Sequence, residues 1–255
     1  MPRYFIKLAY DGSNYHGWQS QENAVSVQSE LEKCMSLKLG FNVKLTGCGR
    51  TDTGVHAREF YAHFDMDIPF NQVSKSEFIN NLNQFLPADI SVFDIIEVDR
   101  EANARFDAVS RTYKYYIHQQ KDPFLQQYSF YHYGAFDSGL MNQACLILFD
   151  YEDFTSFSKL HSKTKTNICH ISLCKWEYVG EQIIFTIQAD RFLRNMVRAI
   201  VGTMLEIGKG KLTISAFREV IESKNRSNAG YSVPGHALFL EKVNYPETIF
   251  MRNID

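Results

Sequence analysis

The opening stretch "RYFIKLAYDG" mixes apolar and polar positions in strand fashion up to Asp11-Gly12, which predicts a strand closed by a turn. In "SVQSELEKCMS" the apolar residues Val27, Leu31, Cys34 and Met35 fall at helical spacing, with Ser26 as the cap. Residues 41–46 read as a strand leading into a glycine-rich turn, and 55–66 as the strand after it. A helix in "SKSEFINNLNQFLP" stops near Pro87, and "ISVFDIIEVD" follows as a strand. The order β-α-β-β-α-β is the split βαβ of the ferredoxin-like class, with helices on one face of an antiparallel sheet and the other face left for a ligand.

From about Arg100 the pattern starts again. "SRTYKYYIHQ" alternates so that Tyr113, Tyr115 and Ile117 share one face, and "DSGLMNQACLILF" is amphipathic at helical period. "ISLCKWEYV" and "QIIFTIQAD" form a hairpin across Gly180. The segment 190–207 pairs its apolar residues (Phe192/Leu193, Met196/Val197, Ile200/Val201, Met204/Leu205), which predicts a helix capped by Asp190 and ended at Gly208. A short helix in "ISAFREVIESK" and a closing strand in "HALFLEKVNY" complete a second unit. The expected division is 1–100 and 101–255, an α+β chain of two ferredoxin-like (RRM-like) units whose antiparallel sheets meet at a basic cleft.

Composition narrows the classes. A chain of 255 residues with 45% hydrophobic and 22% charged residues can bury a proper core. Net charge is only −2, so any nucleic-acid surface must come from local clustering rather than bulk excess. Five scattered cysteines suggest no disulfide framework, and Cys169, His170 and Cys174 lack the further ligands of a zinc set. No apolar run is long enough to span a membrane, and no leader is evident, so a cytoplasmic protein is expected.

The sharpest local feature is "GCGRTDTGVHA", residues 47–57. Two glycines one residue apart suggest a dinucleotide loop, but the third glycine is replaced by Asp52 and a strand, not a helix, follows. An aspartate in such a turn commonly bonds nearby backbone. Here Gly47, Gly49 and Gly54 bracket the acid, Arg50 stands beside it, and the next strand carries His56, Arg58 and His63 as surrounding donors. In the later helical pattern Arg191, Arg194 and Arg198 are spaced to share a face, suited to holding a carboxylate ionised or gripping phosphates. Lys159, His161, Lys163 and Lys165 lie in a loop without acids, and Lys209, Lys211, Arg105, Arg111 and Lys114 add to the basic segments. Tyr113, beside basic residues, has the chemistry to stack on a nucleobase.

Taken together these motifs resemble the tRNA pseudouridine synthases of the A type, over nearly the whole chain. "YDGSNYHGWQSQ", "VQSELE", "GCGRTDTGVHA", "SRTYKYYI", "EDFTSFSK", "RFLRNMVRAIVGTML" and "GHALFLEKVNYP" occur in the family's order, with Cys48 and Thr53 where alanine is more usual. The resemblance implies isomerisation of uridines 38, 39 and 40 in the tRNA anticodon stem-loop, by a homodimer, with no cofactor and no metal. It implies that Asp52 is the nucleophile, Arg198 its partner, Tyr113 the residue packed on the base, and Arg50 a contact to phosphate or flipped nucleotide. Arg58, Arg191, Arg194, Lys163 and Lys165 are the further expected RNA contacts.

Two other classes use the same residues. A non-catalytic tRNA-binding protein keeps the fold without the reaction. An N-glycoside hydrolase needs a second carboxylate, such as Asp107, at a defined distance from Asp52. Steep loss of binding with salt marks a polyanionic substrate, and a flat response marks the hydrolase.

Overall fold

Two serines start the first helix. The Ser26 side chain accepts the Ser29 N–H at 3.1 Å while the Ser29 hydroxyl accepts the Ser26 N–H, a capping box with serine in both places. The computed structural model describes residues 1–67, 70, 72–159 and 164–250, and divides them between two units: Met1–Val109 with the chain from Leu240 onward, and Ser110–Phe239. The first unit contains β1 (Arg3–Tyr10), α1 (Val27–Leu39), β2 (Thr46–Gly47), β3 (His56–Asp65), α2 (Gln72–Phe85) and β4 (Ile90–Val98). The second contains β5 (Ser110–His118), β6 (Phe130–Tyr131), α3 (Ser138–Leu148), β7 (Ile171–Val179), β8 (Gln182–Ala189), α4 (Met196–Gly208) and α5 (Ile214–Glu222). Strand β9 (Leu238–Asn244) starts in the second unit and ends in the first.

In the first unit the strands run β4-β1-β3-β9, with β2 also on β3, and the β1–β3, β1–β4 and β2–β3 pairs are antiparallel. Val27, Leu31 and Met35 of α1 are fully buried, as are Ile6, Leu8, Trp18, Phe60 and Leu82. Each such side chain contributes roughly 1.5–3 kcal/mol through burial. From Leu240 onward the closing strand is grouped with the first unit, whereas the expected division ran the second unit to 255.

Two expectations for this unit fail for visible reasons. Residues 41–45 form no strand, because α1 takes their backbone: Val43 N–H donates to Ser36 Oγ and Leu45 N–H to Glu32 Oε1, both at 2.9 Å. Nor is the sheet's second face left open throughout. Tyr245 packs edge-on against Phe5 and Tyr61, and Phe250 adds a second ring to Phe5.

In the second unit β5, β8 and β7 are consecutive antiparallel neighbours, with β6 parallel to β5. The hairpin turns at Gly180, and Tyr113, Tyr115 and Ile117 are buried on one face of β5 as the alternation requires. Asn142 of α3 brackets Trp176 of β7, accepting its N–H at 2.9 Å and donating to its carbonyl at 3.0 Å. Both units are mixed α and β with mainly antiparallel sheets. Among the described residues no helix is long and apolar enough to cross a membrane.

The segment 190–207 departs from its pattern. The helix begins only at Met196, because Asn195 sits in the left-handed region with φ 68°, which breaks any regular helix there. Asp190 is no helix cap: its carboxylate accepts the N–H groups of His170 and Arg191 at 2.8 and 2.7 Å. Gly208 lies inside α4 rather than after it, and a Cβ there would come within 2.4 Å of Met141 Sδ.

Candidate active site

Asp52 stands in a tight turn, its carbonyl accepting the Val55 N–H at 3.1 Å, with Gly54 at φ 74°. Its side chain is half-exposed, whereas Thr51 before it and Val55 and His56 after it are buried. The turn is thus a solvent-reaching acid between two buried shoulders. The opening motif supplies what buries them. Thr51 Oγ1 accepts the Trp18 N–H at 3.1 Å and lies 2.9 Å from Tyr10 Oη. On the other side, His56 Nδ1 lies 3.1 Å from the Gly12 nitrogen and 2.9 Å from Asp11 Oδ1. Unprotonated, that nitrogen accepts the Gly12 N–H; protonated, it pairs with Asp11.

Asp89 fixes the opening motif in turn. Its carboxylate accepts from Asn14 Nδ2 at 3.0 Å and from the Tyr15 hydroxyl, and its carbonyl accepts the Asp11 N–H at 2.9 Å. Burial first, and then the Asp89 carboxylate, push the Tyr15 hydroxyl well above its ordinary pKa, so it remains a donor. Buried Gln28 makes a second brace. Its amide nitrogen donates to the Leu45 carbonyl and Glu32 Oε1, both at 2.9 Å, while its oxygen accepts from Gln19 Nε2 and the Ser20 N–H.

The other expected residues of this unit are placed differently from one another. Arg50 is exposed and its Nε donates to Gln19 Oε1 at 3.3 Å. Arg58 is exposed on β3, with Nε donating to Glu241 Oε1 at 3.1 Å. His63 does not join the donors around the turn. It lies seven residues farther along β3 than His56, roughly 20 Å by strand rise, and its Nδ1 accepts the Ala104 N–H at 3.1 Å. Gly47 serves packing, since a Cβ there would meet the Trp18 indole at 2.4 Å. Asp107 accepts the Asn103 N–H at 2.7 Å and closes a local turn.

In the second unit, Tyr113 is 9% exposed, paired with Ile187 of β8, and meets the Phe192 ring edge-on at 5.2 Å. That contact puts the tyrosine strand beside the arginine segment. Arg111 reinforces it: its buried guanidinium donates to the Asp190 carbonyl at 2.6 Å, so it supports the fold rather than a basic surface. Arg191, Arg194 and Arg198 do not share a helical face, because only Arg198 lies on α4. Arg191 donates to the Thr166 carbonyl at 3.4 Å, and exposed Arg194 gives its own carbonyl to the Lys159 N–H at 3.0 Å. Arg198 Nε donates to the Val233 carbonyl at 2.7 Å. Lys165 is exposed; Lys163 and His161 lie outside the described residues.

Cys169 is buried and its thiol is pushed up to about 12 by burial, unlike a metal-binding thiolate. Among the described residues no group of three or more His, Cys, Asp or Glu side chains is placed to hold a metal ion.

Sequence reasoning missed Thr51, Asp11, Asp89 and Gln28. Thr51, Asp11 and Gln28 stand inside quoted motifs and Asp89 outside them, but nothing in the spacing of any of them signals the hydrogen bonds they make across the fold.

The chain is similar to known proteins along almost its whole length. A family model described as tRNA pseudouridine synthase matches residues 151–246. A protein of Parabacteroides distasonis named tRNA pseudouridine synthase A is 54% identical over 98% of each chain. One of the same name from Bacteroides thetaiotaomicron is 56% identical over 98% of this chain and 93% of its own. A third, from Francisella philomiragia, is 35% identical over 100% and 98%. With identity of that order running almost end to end, the chain belongs to the tRNA pseudouridine synthase A family.

Proposed function

We propose that this protein isomerises uridine to pseudouridine at positions 38, 39 and 40 of the tRNA anticodon stem-loop, with Asp52 as the acting acid. The observation that supports the reading is the end-to-end identity to proteins named tRNA pseudouridine synthase A. In the reaction the N1–C1′ bond breaks, the base turns over, and a C5–C1′ bond forms. The proton lost from C5 is balanced by one gained at N1, so no electrons enter or leave. A carboxylate does the essential work, either attacking the nucleotide covalently or taking the 2′ proton. Arg198 is its guanidinium partner, which favours the charged carboxylate. Tyr113 packs on the base, and Arg50 holds the nucleotide once it has left the stack. Arg58, Arg191, Arg194, Lys163 and Lys165 contact the phosphate backbone, a role suited to side chains of this charge.

The same family reading supplies a ferredoxin-like build for each unit, a basic cleft for the RNA, a homodimer and a cytoplasmic location. The first unit's order β4-β1-β3-β2, with a helix before β2 and another before β4, supports the first of these.

The test is to incubate the purified protein with unmodified tRNA and map pseudouridine across the anticodon stem-loop. Wild type is expected to modify positions 38 to 40, and Asp52→Asn to modify none while retaining tRNA binding. Turnover by a folded Asp52→Asn protein, with deamidation to Asp excluded, removes Asp52 from the chemistry.

A further inference from the structure

We infer that Thr51 is a positioning residue for Asp52, acting through a buried hydroxyl that pins the turn to the opening motif; this rests on Asp52 being the acting acid. A hydroxyl offers one donor and two acceptor sites. Thr51 Oγ1 uses one acceptor on the Trp18 N–H at 3.1 Å and shares a proton with Tyr10 Oη at 2.9 Å. All three residues are buried, with exposures of 9% for Thr51, 4% for Tyr10 and 1% for Trp18. Water cannot substitute for either bond there.

The partners are themselves fixed. Tyr10 ends β1 and its ring meets Phe60 edge-on at 5.6 Å; Trp18 lies on the same Phe60 with centroids 4.1 Å apart. The pin is therefore mounted on the packed core of the first unit, while the residue it serves reaches solvent. Consecutive α-carbons are about 3.8 Å apart and joined by a planar peptide, so a shift at position 51 passes directly to position 52. On the far side of the acid, the Val55 N–H bond to the Asp52 carbonyl and the His56 contacts with Gly12 and Asp11 hold the other end. A reacting carboxylate held from both sides spends little time misaligned, and a misplacement of about 1 Å is enough to cost roughly 100-fold in rate.

The experiment compares Thr51→Val, which keeps the shape and removes the hydroxyl, with Thr51→Ser, which restores it. Steady-state kinetics on unmodified tRNA, direct tRNA binding and thermal unfolding are measured for each. Thr51→Val is expected to lose about 10- to 100-fold in kcat with KM and tRNA affinity unchanged, and Thr51→Ser to recover to within about threefold of wild type. Wild-type kcat in Thr51→Val, or equal losses in the two variants, overturns the inference. Should Thr51→Val fail to fold, Tyr10→Phe removes one of the two bonds while keeping the ring. A fall in its kcat at unchanged KM supports the pin, and an unchanged kcat overturns it. Wild-type protein that forms no pseudouridine would instead defeat the proposed function, so the two failures are told apart by the control.

Discussion

Arg198 and Val233 hold each other by two bonds: Arg198 Nε donates to the Val233 carbonyl at 2.7 Å, and the Val233 N–H donates to the Arg198 carbonyl at 3.2 Å. The next carbonyl, that of Pro234, accepts the Tyr115 hydroxyl at 3.1 Å, and Tyr115 is fully buried in β5. The guanidinium is thus oriented by the core of its own unit, not merely carried by a helix.

Orientation and charge are separable by substitution. Arg198→Lys keeps the charge but has a single nitrogen centre, which cannot occupy the Val233 carbonyl and present a planar fork as well. We expect Arg198→Lys to lose pseudouridine formation nearly as fully as Arg198→Ala, by about 100-fold or more, in single-turnover assays. Wild-type rates in the lysine variant would show that charge alone suffices. Wild-type rates in the alanine variant would make the residue purely structural.

Stability should fall on mild acidification through His63. This side chain is 8% exposed, stacks on Phe5, and accepts the Ala104 N–H at Nδ1. Burial, and next the nearby Arg3 charge, hold its pKa below the ordinary 6.5. A folded value below the unfolded one means that the unfolded chain binds the proton more readily. The His63 contribution is therefore complete above about pH 6.5 and is lost as pH falls through the folded value. Thermal unfolding between about pH 8 and 5 should show a falling midpoint in wild type and a shallower fall in His63→Asn, which keeps an acceptor but no titration. Equal slopes would remove His63 from the acid response.

Much of this was legible in the chain, and the failures share a cause. Ser26, the alternation of β5 and the turn at Gly180 are local signals, and local hydrogen bonds or burial satisfy them where they stand. The arginine segment misled because its apolar pairs continue through Phe192 and Leu193, while Asn195 looks like any helix-surface residue. Only the left-handed backbone at Asn195, whose side chain donates to Ser232 Oγ at 2.6 Å, separates Arg191 and Arg194 from the helix. The short β2 failed similarly: Val43 and Leu45 have strand-like side chains, but Ser36 and Glu32 of α1 take their amides. At the acid itself, the glycines and Asp52 drew attention, whereas the bracing came from residues 10–18, more than thirty positions earlier.

Gly17 tests that bracing through sterics alone. Its φ is +88°, and a Cβ built on it would lie 2.2 Å from the Thr51 carbonyl oxygen and 3.2 Å from the Asp52 carbonyl carbon. Both obstacles are backbone, which cannot swing aside as the tip of a flexible side chain does. Nor can Gly17 retreat, since its carbonyl accepts the Val27 N–H at 3.3 Å and the neighbouring Trp18 carbonyl accepts the Gln28 N–H at 3.0 Å, in the first turn of α1. Gly17→Ala should therefore cost about 2 kcal/mol or more of stability, from the left-handed backbone plus the clash. It should also lower kcat at temperatures where the variant remains folded, because relief of the clash moves Thr51 and with it Asp52. Gly180→Ala is the control: its φ is +59°, but nothing lies within 4 Å of the added carbon, so only the backbone strain is introduced. We expect Gly180→Ala to lower the unfolding midpoint modestly and leave kcat intact. Equal kinetic behaviour of the two variants would mean that closeness between Gly17 and Thr51 has no bearing on the acid they flank.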